Sequence, residues 1–303
     1  MAYLSVSSFS LHSELGPLQF EHRSGDGSLE TVVYDFPRKH TLEEFAVLAR
    51  DRIGVNVIEL CQVQFDSNEA WRIDQLSVTL EKEGVSVLTV PIDIGDLGVA
   101  NSEWRKEDEA RIIPWFDIAH RLGAQFVRVN AGLPGSTVVA DARAGLVASL
   151  KRLGVEAANR GMKLLIENHG GSSSDSEYVL ALCQEVGMDL LGVLLDLGNF
   201  EPLVTVSQAR FSDPDYDDKG LDLEPLYKHV RRLAPVASLV HAKSVDPASD
   251  GAALPDLPRA LSIVAEAGYK GSISIEWEGQ LGDPWERTAA IAEQVRAAFP
   301  HLS

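Results

Sequence analysis

Short runs of branched apolar residues alternate along the chain with longer stretches whose apolar positions recur at helical spacing. The apolar runs cover residues 3–9, 55–60, 85–90, 126–129, 163–166, 191–195, 238–240 and 272–275. Most carry no polar alternation, which suits parallel strands buried on both faces. The helical stretches cover residues 41–53, 68–83, 103–122, 140–160, 174–186, 223–233, 257–267 and 284–298. Thr41 and Glu44 stand in a capping-box pattern at the start of the first stretch. Gly54, Gly84, Gly123, Gly161, Gly187 and Gly268 fall at helix ends, where a left-handed cap favours glycine.

Eight strands alternating with eight helices predict an α/β fold, a (β/α)8 barrel forming a single domain over residues 1–303. The alternative is an open doubly wound sheet. No Gly-x-Gly-x-x-Gly turn follows any strand, so a dinucleotide-binding sheet lacks its signature. Two connections are long, residues 16–40 after the first strand and residues 200–222 after the sixth. In a barrel both lie over the face formed by the strand C-termini, so both read as lid or binding loops. The second carries Asp213, Asp215, Asp217 and Asp218. It lacks the spacing and the closing Glu of a calcium loop and reads as a solvated acidic segment.

Composition narrows the function classes. With 303 residues, 45% of them hydrophobic, the chain can bury one large core. Its net charge is −18, from 27 Lys+Arg against 45 Asp+Glu, and no basic run exceeds Arg231-Arg232. That excludes nucleic acid as the expected partner, because phosphate binding needs a basic face. The acidity slightly favours a divalent cation. Cys61 and Cys183 form no Cys-x-x-Cys pair and read as reduced thiols. No apolar stretch reaches the ~18 residues of a membrane span. The expectation is a soluble, cytoplasmic protein with no membrane partner.

The chemistry lies at the strand ends. The fifth strand ends in Glu167-Asn168-His169, the sixth in Asp196, the seventh in His241-Ala242-Lys243 and the eighth in Glu276-Trp277-Glu278. Four consecutive strands thus deliver an ionisable side chain directly after an apolar run. A lone carboxylate there carries a large desolvation cost, which a shared cation or proton network offsets. Glu167, Asp196, His241 and Glu276 form a mostly oxygen donor set for one divalent ion. Mn2+ and Mg2+ suit it first, with Co2+, Fe2+ and Zn2+ open.

The segments IENHGG (166–171), LDLGN (195–199), VHAK (240–243) and ISIEWEG (273–279) resemble the xylose-isomerase-like superfamily. That superfamily holds sugar and sugar-phosphate isomerases and epimerases, inosose dehydratases and abasic-site endonucleases. The resemblance spans nearly the whole chain and is strongest over residues 160–280. It implies that Glu167, Asp196, His241 and Glu276 are the metal ligands. It also implies that Glu167 and Glu276 move protons on opposite faces of the substrate, and that the chain forms homo-oligomers. The chemistry agrees with the pattern. Shifting a carbonyl along a polyol, or inverting the carbon beside it, removes a weakly acidic C–H proton. The enediolate left behind needs an electrophile such as a chelated metal, and carboxylates to carry the proton.

His169 stands two residues beyond Glu167, on the same side of an extended strand end, and is a rival catalytic base. His12, Arg128, Asn199, Lys243 and Trp277 are candidate substrate contacts. Glu59, Asp93, Asn130, Phe200 and Trp285 lie nearby and read as scaffold. The sequence departs from the family at Asn199, where many relatives carry a histidine. It also lacks the histidines after the second and third strands that the endonucleases use. Both departures favour one metal ion and disfavour DNA repair. The resulting expectation is a metal-dependent isomerase or epimerase acting on a small sugar, polyol or glycoside, with no phosphate cradle visible. The alternatives are a lyase on the same scaffold, an inosose-type dehydratase or a 3-keto-glycoside lyase, and a non-catalytic partner subunit.

Overall fold

The computed structural model describes residues 2–213, 216 and 220–302. The chain opens with β1 (Tyr3–Ser7), the antiparallel hairpin β2 (Leu18–Arg23) and β3 (Leu29–Tyr34), and α1 (Leu42–Leu48). There follow β4 (Val57–Glu59), α2 (Ala70–Glu83), β5 (Ser86–Ile92), α3 (Ser102–Arg121), β6 (Phe126–Val129) and α4 (Ala140–Asn159). Next come β7 (Lys163–Glu167), α5 (Ser176–Val186), β8 (Leu191–Asp196), α6 (Leu203–Ser212) and α7 (Glu224–Leu233). The chain ends with β9 (Ala237–Ser244), α8 (Leu257–Glu266), β10 (Ser272–Trp277) and α9 (Pro284–Ala298). All strands except β2 and β3 close into one parallel barrel in the order β1-β10-β9-β8-β7-β6-β5-β4. These are the eight strands the hydrophobic pattern predicts, so the open sheet is excluded.

The expected long loops hold structure of their own. Residues 16–40 contain the β2–β3 hairpin, and residues 200–222 contain α6. The hairpin's signal was present: Leu18, Phe20 and their polar neighbours alternate before the turn Ser24-Gly25-Asp26-Gly27. Asp213 is exposed, while Asp215, Asp217 and Asp218 lie outside the described residues. The first helical stretch is also not uniform. Thr41 and Glu44 make the predicted capping box, but a π-helical turn over Ala49–Ile53 follows α1 before Gly54 closes it at φ 75°.

Strand alternation sorts the barrel into a lumen and a jacket. Leu88, Leu165, Leu194 and Leu239, with Tyr3, Val57 and Phe126, form a cluster drawn only from barrel strands, which is the lumen plug. Ile166, Val193, Leu195, Val240, Ala242, Ile273 and Ile275 belong to the larger cluster shared with the helices. Five plug residues stand two positions before a polar group: Val57 before Glu59, Phe126 before Arg128, Leu165 before Glu167, Leu194 before Asp196, and Leu239 before His241. With a side-chain period of two, each polar group faces the same lumen one layer higher. The apolar layer is therefore the floor of the polar one.

Candidate metal centre and active site

The polar layer is held in place by the backbone around it. Asp196 lies opposite His241 in the β8–β9 register, and Glu276 lies opposite Lys243 between β10 and β9. Asn168, just past β7, donates from Nδ2 to the Asp196 carbonyl at 2.8 Å, and its Oδ1 accepts from the Asp196 amide at 2.9 Å. A side-chain amide thus extends the β7–β8 ladder past its last residue. Asp196 Oδ1 accepts from the backbone amides of Gly198 and Asn199 at 2.7 and 2.9 Å. That fixes the carboxylate and leaves Oδ2 facing the lumen. A Cβ at Gly198 would lie 3.0 Å from Lys243 Cγ, so the glycine lets the Lys243 side chain pack closely against this turn.

Glu167, Asp196 and His241, all buried, offer ligand atoms that lie within 4.8 Å of one another. Among the described residues, Asp196 Oδ2 and His241 Nδ1 are buried without a hydrogen bond, and Glu167 Oε2, equally buried, has in place of one an ion-pair contact with Arg128 Nε at 3.0 Å. His241 Nδ1 stands 3.5 Å from Asp196 Oδ2 and 3.6 Å from Glu276 Oε2. Three of the four sequence-predicted ligands therefore form one cluster, with Glu276 against its His241 edge. Unhydrogen-bonded acceptors at this depth are rare and costly unless a cation satisfies them. The donor set, oxygen-rich with one imidazole, fits a divalent ion.

The surrounding charges match that reading. Burial pushes the Glu167 carboxyl up to about 7, against the Arg128 guanidinium, with Asp196 and Glu276 raising it further. His241 is raised well above the usual imidazole range: burial opposes this, but Glu59, Glu276 and Asp196 outweigh it. These are the signs of a negative cup in want of positive charge.

The other candidates divide. Arg128 spans two carboxylates, with Nε 3.0 Å from Glu167 Oε2 and its Nη1 donating to Asp93. Lys243 is buried among Asp196, Glu276 and Glu278, and its Nζ donates to Asn199 Oδ1 at 2.9 Å. Burial lowers the Lys243 ammonium pKa, but Asp196 and Glu276 raise it on balance. Asn199 Nδ2 donates to Glu167 Oε1 at 2.9 Å, so this side chain links Lys243 to Glu167. His169 Nδ1 lies 3.4 Å from Asn130 Oδ1, and burial, with the Lys243 and Arg128 cations, pushes its pKa down to about 3. His12 donates from Nδ1 to the Phe9 carbonyl at 3.0 Å and stacks on Phe9, edge-on to Phe36. Burial lowers it to about 4.

Trp277 is the exception. It follows Glu276 on β10 and so faces the opposite side, into the helix-facing core, with the Arg287 guanidinium 5.4 Å from its ring centroid. As a substrate contact it is corrected to a packing residue, since adjacent strand residues face opposite ways. Glu59 and Asp93, read as scaffold, contact His241 and Arg128 directly. Glu278, one residue beyond Trp277, is an ion partner of Lys243 that the sequence reading left without a role.

A family model described as a xylose isomerase-like TIM barrel matches residues 47–298. No curated protein sequence matches the chain. Among solved structures, D-allulose 3-epimerase from Methylomonas sp. is similar with a TM-score of 0.65 and 14% identity, covering 99% of this chain and 100% of that one. The 3-keto-D-glucoside 4-epimerase from E. coli has a TM-score of 0.60 and 15% identity over 83% of this chain and 94% of that one. A xylose isomerase-like TIM barrel protein from Mycobacterium smegmatis, in complex with magnesium, has a TM-score of 0.60 and 14% identity over 98% of each chain. At these identities the likeness is one of fold.

Proposed function

The chain belongs to the xylose isomerase-like TIM-barrel family, and on that premise we propose that it is a divalent-metal-dependent isomerase or epimerase of an unphosphorylated sugar, polyol or glycoside. The observation that carries this is the convergence of Glu167 Oε2, Asp196 Oδ2 and His241 Nδ1 from three consecutive strands, all buried, the last two without a hydrogen bond among the described residues. Glu276, 3.6 Å from His241 Nδ1, completes the proposed ligand set. Mn2+ or Mg2+ suits these donors best. When bound, such an ion polarises the substrate carbonyl and stabilises the charge left on it as the adjacent proton departs.

The residues of the chain do the rest. Glu167 takes the proton from the carbon beside the carbonyl, and Glu276 returns one. The Arg128 guanidinium beside Glu167 favours its ionised form, which a base requires. Asn199 fixes the Glu167 carboxylate in orientation through Oε1. His169, neutral and with its pKa pushed to about 3, suits a hydrogen-bonding role better than that of base.

The preference for an uncharged substrate follows from the cations. Arg128 is engaged by Asp93 and Glu167, and Lys243 by Asp196, Glu276 and Glu278. A phosphate or carboxylate on the substrate would compete with these carboxylates and meet the negative cup. The lyase reading stays second on one observation. The Lys243 ammonium, held protonated beside Glu276, is suited to donating a proton to a departing oxygen.

The test is incubation of the Mg2+-loaded protein in deuterated water with unphosphorylated ketoses, inososes and 3-keto-glycosides, followed by proton NMR. Deuterium should enter at the carbon beside the carbonyl for at least one neutral substrate, and chelation should abolish the exchange. Exchange that survives exhaustive chelation contradicts the metal mechanism. An eliminated product replaces the isomerase by the lyase.

A further inference from the structure

Glu59 ends β4 and is wholly buried, while His241 lies on β9, separated from β4 round the barrel by β1 and β10. The two side chains nevertheless meet in the lumen, with Glu59 Oε1 3.0 Å from His241 Nε2. Among the described residues Glu59 Oε2 is buried without a hydrogen bond, and His241 engages this carboxylate through Oε1. An ionised carboxylate only accepts, so the proton of this bond sits on Nε2. In a neutral imidazole the lone pair then lies on Nδ1, the nitrogen that faces Asp196 and Glu276 at 3.5 and 3.6 Å. A lone pair set against two carboxylates is repulsive unless a proton or a metal cation stands between them.

We propose that Glu59 is a positioning residue of the metal centre, which selects His241 Nδ1 as the ligand atom and strengthens it as a donor. The inference rests on the metal-dependent reading above. It gives Glu59 a role through His241 and not toward substrate. A carboxylate holding the far nitrogen of a ligating histidine fixes both tautomer and ring orientation, and raises the basicity of the ligating nitrogen. The position of Glu59 is consistent with this. It stands two residues after Val57 of the plug, so β4 supplies both floor and wall to the same side of the lumen.

Two measurements on the full-length protein test it. In the 15N-labelled, Zn2+-loaded wild type, long-range 1H–15N NMR should report His241 protonated on Nε2 and ligated through Nδ1. The assignment comes from the signal missing in His241→Gln. Calorimetric titration with Mn2+ should then show affinity lowered about 10–100-fold in Glu59→Gln and partly recovered in Glu59→Asp. Ligation through Nε2, or wild-type Mn2+ affinity in a folded Glu59→Gln, overturns the proposal. Should Glu59→Gln lose its circular dichroism, the wild-type tautomer decides alone. A wild type that binds neither ion removes the metal reading itself, whereas tight binding indifferent to Glu59 removes only this inference.

Discussion

At the scale of single residues, the site is a set of buried charges that make sense only together. Asp196 and His241 leave atoms without hydrogen bonds among the described residues, while Arg128, Asn199, Lys243 and Glu59 each hold Glu167, Asp196 or His241 in place. Glu167→Gln and Glu276→Gln keep nearly the same shape and remove a proposed proton carrier. Each should lower kcat by at least about 100-fold, the lower range for loss of a general acid or base, while circular dichroism stays that of the wild type. Full activity in either variant contradicts that residue's role. The proposed ligand residues stand out in the sequence because each is the first ionisable group after an apolar run. Their partners were less so. Glu59 ends a strand of only three residues, and the meaning of Asp93 or Glu278 depends on which side chain lies across the lumen. Trp277 was misread although its register was legible, since a residue next to a lumen-facing Glu276 must face outward.

At the scale of elements, the strands position the site and the first long connection is latched over its rim. The leucine layer below the ligands bears directly on their placement. Leu194→Ala, two residues before Asp196, should cost about 2–5 kcal/mol in equilibrium denaturation, as other buried leucine truncations do. A loss below about 1 kcal/mol would mean that the lumen collapses around the gap. The β2–β3 hairpin is tied to α3 by Arg23, which meets the buried Asp108 at 2.9 and 3.3 Å and lies 5.9 Å from the Trp104 ring centroid. Arg23→Ala should therefore raise amide exchange across residues 18–34, read by mass spectrometry, with the barrel strands unaffected. Unchanged exchange in the hairpin would show that its apolar base, Leu18 and Phe20 against Cys61 and Val63, suffices to hold it. The eight barrel strands were readable because parallel burial makes them continuous apolar runs. The hairpin alternates instead, and its β3 leaves Leu29, Val32 and Val33 exposed, so it lacks the buried apolar run that marks the barrel strands.

At the scale of the whole molecule, closure of the barrel is what brings residues 59, 167, 196, 241 and 276 into one lumen layer. No helix among the described residues is long and apolar enough to cross a membrane. An ion held by the strand-end carboxylates, as proposed, would bind the folded chain and not the unfolded one. At about 100 times its dissociation constant, it should add about 2.7 kcal/mol of stability. Thermal unfolding with Mn2+ or Mg2+ should shift upward accordingly and return on chelation; a melting temperature indifferent to both ions would count against a shared site. The claim on which everything else rests is the position of that ion, and a crystal soaked in Mn2+ tests it most directly. The account predicts one strong anomalous-scattering peak in the lumen between Glu167, Asp196 and His241, with Glu276 beside it. A well-ordered site without such a peak, or a peak held by other residues, would contradict it.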